Sequence, residues 1–353
     1  MTNPRATQIG HVSIGSNFKP FVIAEISANH GGELSAALDL VDIAADAGAS
    51  AVKMQHYLPG TITTRSSLPE FKVGGGTLWD GRQLFDLYAE AMTPWEWTKA
   101  IFERASEKGL ICFSSPFDTT AVDFLEEHNV VAYKVASFEL VDIPLIEYIA
   151  RTGKPMIMST GMATVAEIDD AVNAARGAGN SKLALLRCNS GYPANPQEMD
   201  LNAIPFMRDR WDCEIGLSDH TLDSTASIAA IALGATIIEK HVIADRSDGG
   251  PDAAFSCEPD ELAKLVQQAN DAWSAMGAVR FGPSERENAS IAFRRSLRVS
   301  SVMHKGDIIS EANVRSMRPA GGLLPVHLKD LVGKRVSQDL EIGTAVTWDL
   351  IEK

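Results

Sequence analysis

The segment EIGLSDHT, residues 214–221, runs from an apolar stretch into Ser218, Asp219 and His220, and IIEKHVI, residues 237–243, repeats the pattern with Glu239 and His241. Histidines at the ends of two neighbouring strands can converge on one divalent cation. Two imidazoles and an acid suit Mn²⁺, Zn²⁺, Fe²⁺ or Co²⁺. The same imidazoles could instead hydrogen-bond a bound substrate directly. A second set, Lys53 and Lys134 with Ser115, Ser137, Ser159, Ser190 and Ser218, offers cationic and hydroxyl donors of the kind that hold a phosphate or carboxylate. Each lysine could alternatively form an ion pair with Glu25, Glu139 or Glu239. A metal site beside anion donors points to polarising a carbonyl while neutralising a multiply charged co-substrate.

Positioning these groups requires an ordered set of strand ends. Short apolar or β-branched runs recur with amphipathic segments between them, the pattern of βα units and a parallel sheet. Eight runs occur: 21–27, 51–57, 111–116, 132–137, 156–161, 183–190, 214–220 and 237–243. The intervening stretches read as helices, and Thr164 with Glu167 forms a capping box before one of them. The expected fold is an α/β (β/α)₈ (TIM) barrel over residues 1–276. A doubly wound open sheet is the alternative, but no GxGxxG follows the first run. Catalytic groups of such a barrel lie at the C-terminal ends of its strands. There the sequence supplies Glu25, Ser27, Asn29, His30, Lys53, Gln55, Tyr57, Ser114, Ser115, Lys134, Ser137, Glu139, Ser159, Thr160, Arg187, Asn189, Ser190, Tyr192, Ser218, His220, Glu239 and His241. Burying so many polar groups at one mouth has no rationale in stability. Alternation along a strand puts Glu239 with His241 on one face and turns Lys240 away.

Residues 277–290, rich in Gly, Pro and polar side chains, read as a linker. Residues 291–353 then read as a small β-rich domain, with turns at HKGD and EIGT. The net charge of −14 disfavours a nucleic-acid binder. Between 291 and 335, however, nine Lys and Arg face three acids, which makes either a solvated basic face or a module that docks over an anionic ligand or acidic surface. No run approaches the ~20 apolar residues of a membrane span, and the N-terminus lacks the apolar core of a signal peptide. Cys112, Cys188, Cys213 and Cys257 form no CxxC pair, as expected of reduced thiols in a cytoplasmic protein.

The motifs AEISANHGG, AVKMQHY, FSSPFD, YKVAS, STGMAT, GLSDHT, IEKHV, GGPDAAFS, RSLRV and RPAGG resemble the sialic-acid synthase family from end to end. That resemblance implies a (β/α)₈ barrel joined to a C-terminal antifreeze-like (SAF) domain, and condensation of phosphoenolpyruvate with an N-acylated amino sugar to a nine-carbon 2-keto-3-deoxy acid. GTLWDGRQLFDLYAEAMTPWEWTKAIF and ADRSDGGPDAAFS resemble the branch whose acceptor is 2,4-diacetamido-2,4,6-trideoxy-L-altrose. The resemblance implies metal ligation by His220 and His241, with Mn²⁺ expected and Co²⁺ or Mg²⁺ as alternatives. It implies phosphoenolpyruvate contacts from Lys53, Ser115, Lys134, Ser137, Ser190 and Ser218, and sugar contacts from Glu25, Gln55, Tyr192 and Asp252. Glu239, Glu139 and Ser159 complete the candidate set. Arg318 would reach the N-acyl group from the other subunit of a domain-exchanged homodimer. The chain departs from the family pattern with HGG at 30–32, RPA at 318–320 and RCNSGYP at 187–193. Two rival readings are a metal-dependent amidohydrolase, which would want an HxH on the first strand where only His30 occurs, and a non-catalytic carbohydrate-binding assembly protein.

Overall fold

The computed structural model describes residues 7–352, which divide into two units at Gly277 and Ala278. In the first, a hairpin of β1 (Thr7–Ile9) and β2 (Val12–Ile14) precedes the barrel. Eight parallel strands then close on themselves: β3 (Phe21–Glu25), β4 (Ala51–His56), β5 (Ile111–Pro116), β6 (Tyr133–Val135), β7 (Met156–Ser159), β8 (Leu183–Cys188), β9 (Glu214–Ser218) and β10 (Ile237–His241). Strand β10 pairs with both β9 and β3 and so completes the ring. The expected barrel is present, with each strand at or within the predicted run.

Most strands stop short of those runs. β9 ends at Ser218, so His220 lies two residues beyond its ladder; Ser137 and Ser190 likewise belong to loops. Where the chain leaves the barrel, side chains and loop carbonyls take over the backbone's hydrogen bonds. The segment around 95–107 is a 3-10 turn, Trp95–Trp97, leading into the helix Thr98–Glu107. The Thr164–Glu167 capping box forms at the start of the helix Val165–Gly177.

The registers explain which side chains meet. His241 is level with Glu25, Glu25 with Lys53, Gln55 with Ser115, and Ser218 with both Glu239 and Cys188. Gly216 permits the close approach of β9 to β10, since a β-carbon there would stand 2.7 Å from Ile237 Cβ. One apolar core, including Ile23, Val52, Phe113, Ile157, Leu185 and Ile238, holds this unit together.

The second unit has its own core of Leu297, Val299, Met303, Ile309, Val314, Leu331, Val336, Leu340 and Val346. Its turns at His304–Asp307 and Glu341–Thr344 form as expected. Among the described residues only β11 (Ser296–Val299) and β12 (Val314–Met317) make a ladder. In the last part of the domain expected as β-rich, 331–351, the described residues contribute isolated bridges such as Met303–Leu340 and Val336–Ile351. The linker is also partly structured, because a 3-10 helix spans Asn288–Phe293.

Candidate active site

Two acids and two lysines meet inside the barrel, all nearly inaccessible to solvent. Lys53 Nζ is 2.5 Å from Glu25 Oε2 and 3.8 Å from Glu239 Oε2. Lys134 Nζ is 3.2 Å from Glu239 Oε1, which also accepts from Ser218 Oγ at 3.0 Å. Lys53 donates to Ser115 Oγ at 3.2 Å. Both lysines are therefore ion-paired, with Glu25 and Glu239 as their partners.

Burial of both carboxylates opposes ionisation, and the two are split by their partners. Glu239 is held down to about 2, because Lys134 and Lys53 outweigh its desolvation. Glu25 moves upward, driven by desolvation and by its proximity to Glu239 against the pull of Lys53. Two carboxyl groups pushed apart in this way can divide acid–base roles, with Glu25 the one able to hold and release a proton.

Glu25 is tied into a chain that crosses the mouth. Gln55 Nε2 donates to Glu25 Oε1 at 3.0 Å and to Ser27 Oγ at 3.1 Å, and Ser27 in turn donates to Asp252. Asp252 Oδ2 is 3.7 Å from His241 Nδ1. Burial raises the Asp252 carboxyl against the bond from Ser27.

His220 and His241 converge with ring centroids 5.4 Å apart. His220 Nδ1 donates to the Asn189 carbonyl at 2.8 Å, which fixes the tautomer and leaves Nε2 with its lone pair. His241 is kept neutral by burial and by the nearby ammonium groups of Lys53 and Lys134, and its Nδ1 is buried without a hydrogen-bond partner. Two oriented imidazoles with lone pairs to give fit a borderline divalent cation. Among the described residues no third His, Cys, Asp or Glu joins them in a metal-binding group. A cation there would keep positions open for non-protein ligands.

An aromatic wall backs the imidazoles. Tyr192 lies 4.5 Å from His220 and 5.0 Å from Phe255, and Phe255 lies 4.9 Å from His241. Trp79 reaches in from the glycine-rich loop after β4, packs 5.5 Å from Tyr192 and donates its indole N–H to the Pro251 carbonyl at 2.8 Å. The loops bearing Trp79 and Asp252 are thereby clasped to each other.

Ser137 and Ser190 converge over Gly161. The Gly161 N–H donates to Ser137 Oγ at 3.1 Å, and a β-carbon on Gly161 would collide with both hydroxyl groups. Ser159 is buried at the end of β7 with no partner for its hydroxyl. Glu139 leaves one carboxylate oxygen buried and unbonded, and burial raises it to about 7. Arg318 is exposed and follows β12 in the second unit.

Several polar residues near the strand ends serve structure instead. Arg187 binds the Met199 carbonyl and Asp200. Asn29 holds the Val242 carbonyl and Ser256. His30 is buried against Trp97 and Thr93, Thr160 bonds the Leu186 carbonyl, and Ser114 pairs with His56 behind the strands. Tyr57 packs between Tyr88 and Phe117. The Asn189 side chain caps its own loop through Glu198 and Gly191, while its carbonyl holds His220.

Four site residues carry no signal in strand-end polarity. Trp79 was legible only as an aromatic in a glycine-rich loop, Gly161 as a glycine in STGMAT, and Phe255 as part of DAAFS. Cys188, read as a reduced thiol, has its sulfur 3.9 Å from His220 Nδ1. Burial opposes its ionisation, but His220 outweighs that and lowers the thiol to about 7.

The sequence profile of the NeuB family matches residues 40–280, and that of the SAF domain matches 294–352. The chain is 41% identical over 339 residues to the pseudaminic acid synthase of Campylobacter jejuni strain 81-176, covering 96% of this chain and 98% of that protein. It is 38% identical to the pseudaminic acid synthase of Helicobacter pylori, covering 95% and 98%. Among solved structures, an N-acetylneuraminic acid (sialic acid) synthetase from Leptospira borgpetersenii in complex with citrate superposes with a TM-score of 0.73 at 33% identity, covering 82% of this chain and 95% of that one. A profile that covers all but the first strand of the barrel and relatives matched over nearly their whole length leave one assignment: the chain belongs to the NeuB family, with a SAF domain after its barrel.

Proposed function

We propose that the protein is a pseudaminic acid synthase, which condenses phosphoenolpyruvate with 2,4-diacetamido-2,4,6-trideoxy-L-altrose to a nine-carbon 2-keto-3-deoxy acid and phosphate. The observation that carries this reading is the convergence of Lys53, Lys134, Glu25 and Glu239 beside His220 and His241, in a chain 41% identical to such synthases. Lys53 and Lys134, with the hydroxyls of Ser115, Ser137, Ser190 and Ser218, hold the phosphate and carboxylate of phosphoenolpyruvate. Gln55, Tyr192 and Asp252 hold the sugar. C3 of phosphoenolpyruvate forms a bond to the sugar's aldehyde carbon as the C=O opens to an alkoxide, water adds at C2 and gives up one proton that ends on that alkoxide, and the C2–O bond to phosphate breaks as the added hydroxyl becomes the 2-keto group and its proton leaves with phosphate. Glu25, the carboxyl raised above its ordinary range, takes the proton of that water. His220 and His241 would hold Mn²⁺, or alternatively Co²⁺ or Mg²⁺, which when bound would supply Lewis-acid polarisation of the aldehyde.

The reading extends to a domain-exchanged homodimer in which Arg318 of one copy recognises the acceptor's N-acyl group in the other. It also extends to a cytoplasmic location, where the four free thiols stay reduced. No helix of the described residues is long and apolar enough to cross a membrane. The alternative acceptor is N-acetylmannosamine or a related amino sugar, as the likeness to the Leptospira synthetase allows. The test supplies phosphoenolpyruvate and Mn²⁺ with a panel of acceptors and follows phosphate release and keto-acid mass. Turnover of the trideoxy-altrose in preference to N-acetylmannosamine is expected; the reverse order moves the protein to the alternative, and no phosphate with any sugar removes the enzymatic reading.

A further inference from the structure

Asp219 lies between Ser218 and His220 in sequence, and Lys240 between Glu239 and His241, yet neither faces the site. Alternation turns both outward, where Lys240 Nζ stands 3.2 Å from Asp219 Oδ2 with both side chains essentially inaccessible. Lys240 also donates to the carbonyls of Thr221 and Asp223, the latter at 3.2 Å. Asp219 Oδ1 accepts from the Thr221 N–H at 2.9 Å and its hydroxyl at 2.7 Å, and Oδ2 accepts from Ser227 Oγ at 2.6 Å. All three ammonium protons and both carboxylate oxygens therefore have partners.

A buried ion pair adds little net stability over an apolar pair of the same volume, so its retention calls for another purpose. Here the purpose is local. β9 ends at Ser218, and the ladder that fixes Glu239 and His241 on β10 does not reach His220. The last strand-like contact on that side is the Asp219 N–H to the Glu239 carbonyl, at 2.9 Å. Beyond it, the lysine ties the turn 221–223 to β10 from behind, while His220, the residue just before that turn, faces the mouth.

We propose that Asp219 and Lys240 are positioning residues that set His220 against His241. The inference rests on the reading that both imidazoles act at one site, and its test separates the two. The Asp219→Asn/Lys240→Met double variant removes both charges at similar volume, and its melting curve reports folding. Its crystal structure should show the His220 and His241 rings displaced by about 1 Å or more from their 5.4 Å separation, a misplacement that can cost about 100-fold in rate. Mn²⁺ affinity, read by electron paramagnetic resonance, should fall roughly 10- to 100-fold, and kcat should fall with the phosphoenolpyruvate KM nearly unchanged. A folded variant with both rings in place and wild-type Mn²⁺ affinity overturns the proposal. If the double variant does not fold, Ser227→Ala, which removes one bond to Asp219, is read the same way: weaker Mn²⁺ binding supports the role, and wild-type binding with wild-type kcat overturns it. If the wild-type protein binds no Mn²⁺, the metal reading fails, and ring displacement alone decides the positioning role.

Discussion

At the scale of single residues, the site is a balance of buried charge. Lys53 and Lys134 are needed to keep Glu239 ionised, and on the proposed reading they also meet the anionic co-substrate. Lys53→Met and Lys134→Met should each lower kcat/KM for phosphoenolpyruvate by ~10-fold or more, since a charge-assisted contact is worth roughly 1.5–3 kcal/mol. Steady-state kinetics at saturating acceptor would reveal this, and unchanged values for both would leave the lysines a purely structural role. His220→Ala and His241→Ala should lose Mn²⁺ affinity while the barrel stays folded, and EDTA should abolish turnover until Mn²⁺ or Co²⁺ is restored. Full activity after exhaustive chelation would eliminate the two-histidine metal site. Glu139 makes a pH prediction. Burial raises its folded value to about 7 from an ordinary 4.5, so the folded state holds the proton more tightly than the unfolded chain. Stability from this group is thus greatest below about pH 4.5 and declines as the pH rises toward 7, by up to about 3 kcal/mol. Relative to wild type, Glu139→Gln should gain stability between pH 5 and pH 8; parallel melting curves across that range would refute the assignment.

At the scale of elements, loops complete what the strands begin. The hydrogen bond from Trp79 to the Pro251 carbonyl and the packing of Trp79 on Tyr192 join two loops that are far apart in sequence, beside Asp252 and Tyr192, both assigned to the acceptor. Trp79→Ala should therefore raise the KM for the acceptor by roughly three- to tenfold, as the loss of an aromatic contact of about 0.5–1.5 kcal/mol implies. The phosphoenolpyruvate KM should hardly move. Equal effects on both substrates, or none on either, would mean that the clasp does not shape the acceptor side.

At the scale of the whole molecule, the question is whether the second unit works on its own barrel or on that of a partner copy. Its basic segment, nine Lys and Arg against three acids between 291 and 335, suits an acidic chain holding an anionic substrate, and twofold symmetry makes any exchange reciprocal. An inactive Arg318→Ala dimer mixed with an inactive His241→Ala dimer, under conditions that allow subunit exchange, should regain activity. Each heterodimer would then contain one site with an intact barrel and an intact Arg318. With both lesions acting in cis, neither site of the heterodimer is whole. Mass-spectrometric proof of heterodimers without recovered activity would therefore rule out exchange.

The sequence by itself determined the barrel, its eight strands, the boundary near 277 and the polarity of one mouth. These follow from local periodicity, and parity along each strand is enough to put Glu239 with His241 and to send Lys240 the other way. It also determined that the histidines of GLSDHT and IEKHV lie at the C-terminal ends of successive strands, which in a βα barrel are neighbours, although β9 stops two residues before His220. Tertiary structure alone decided which polar residues belong to the site, because a strand-end position does not say where a side chain finds its hydrogen bonds. Arg187, Asn29 and Thr160 turn to backbone carbonyls, whereas Lys53 and Lys134 turn inward to Glu25 and Glu239. Trp79, Gly161 and Phe255 enter the site through loops whose paths depend on contacts distant in sequence. The split between Glu25 and Glu239 was likewise beyond the sequence, since Glu239 has both lysines to hold its charge while Glu25 has only Lys53 and lies beside Glu239, all of them buried from solvent.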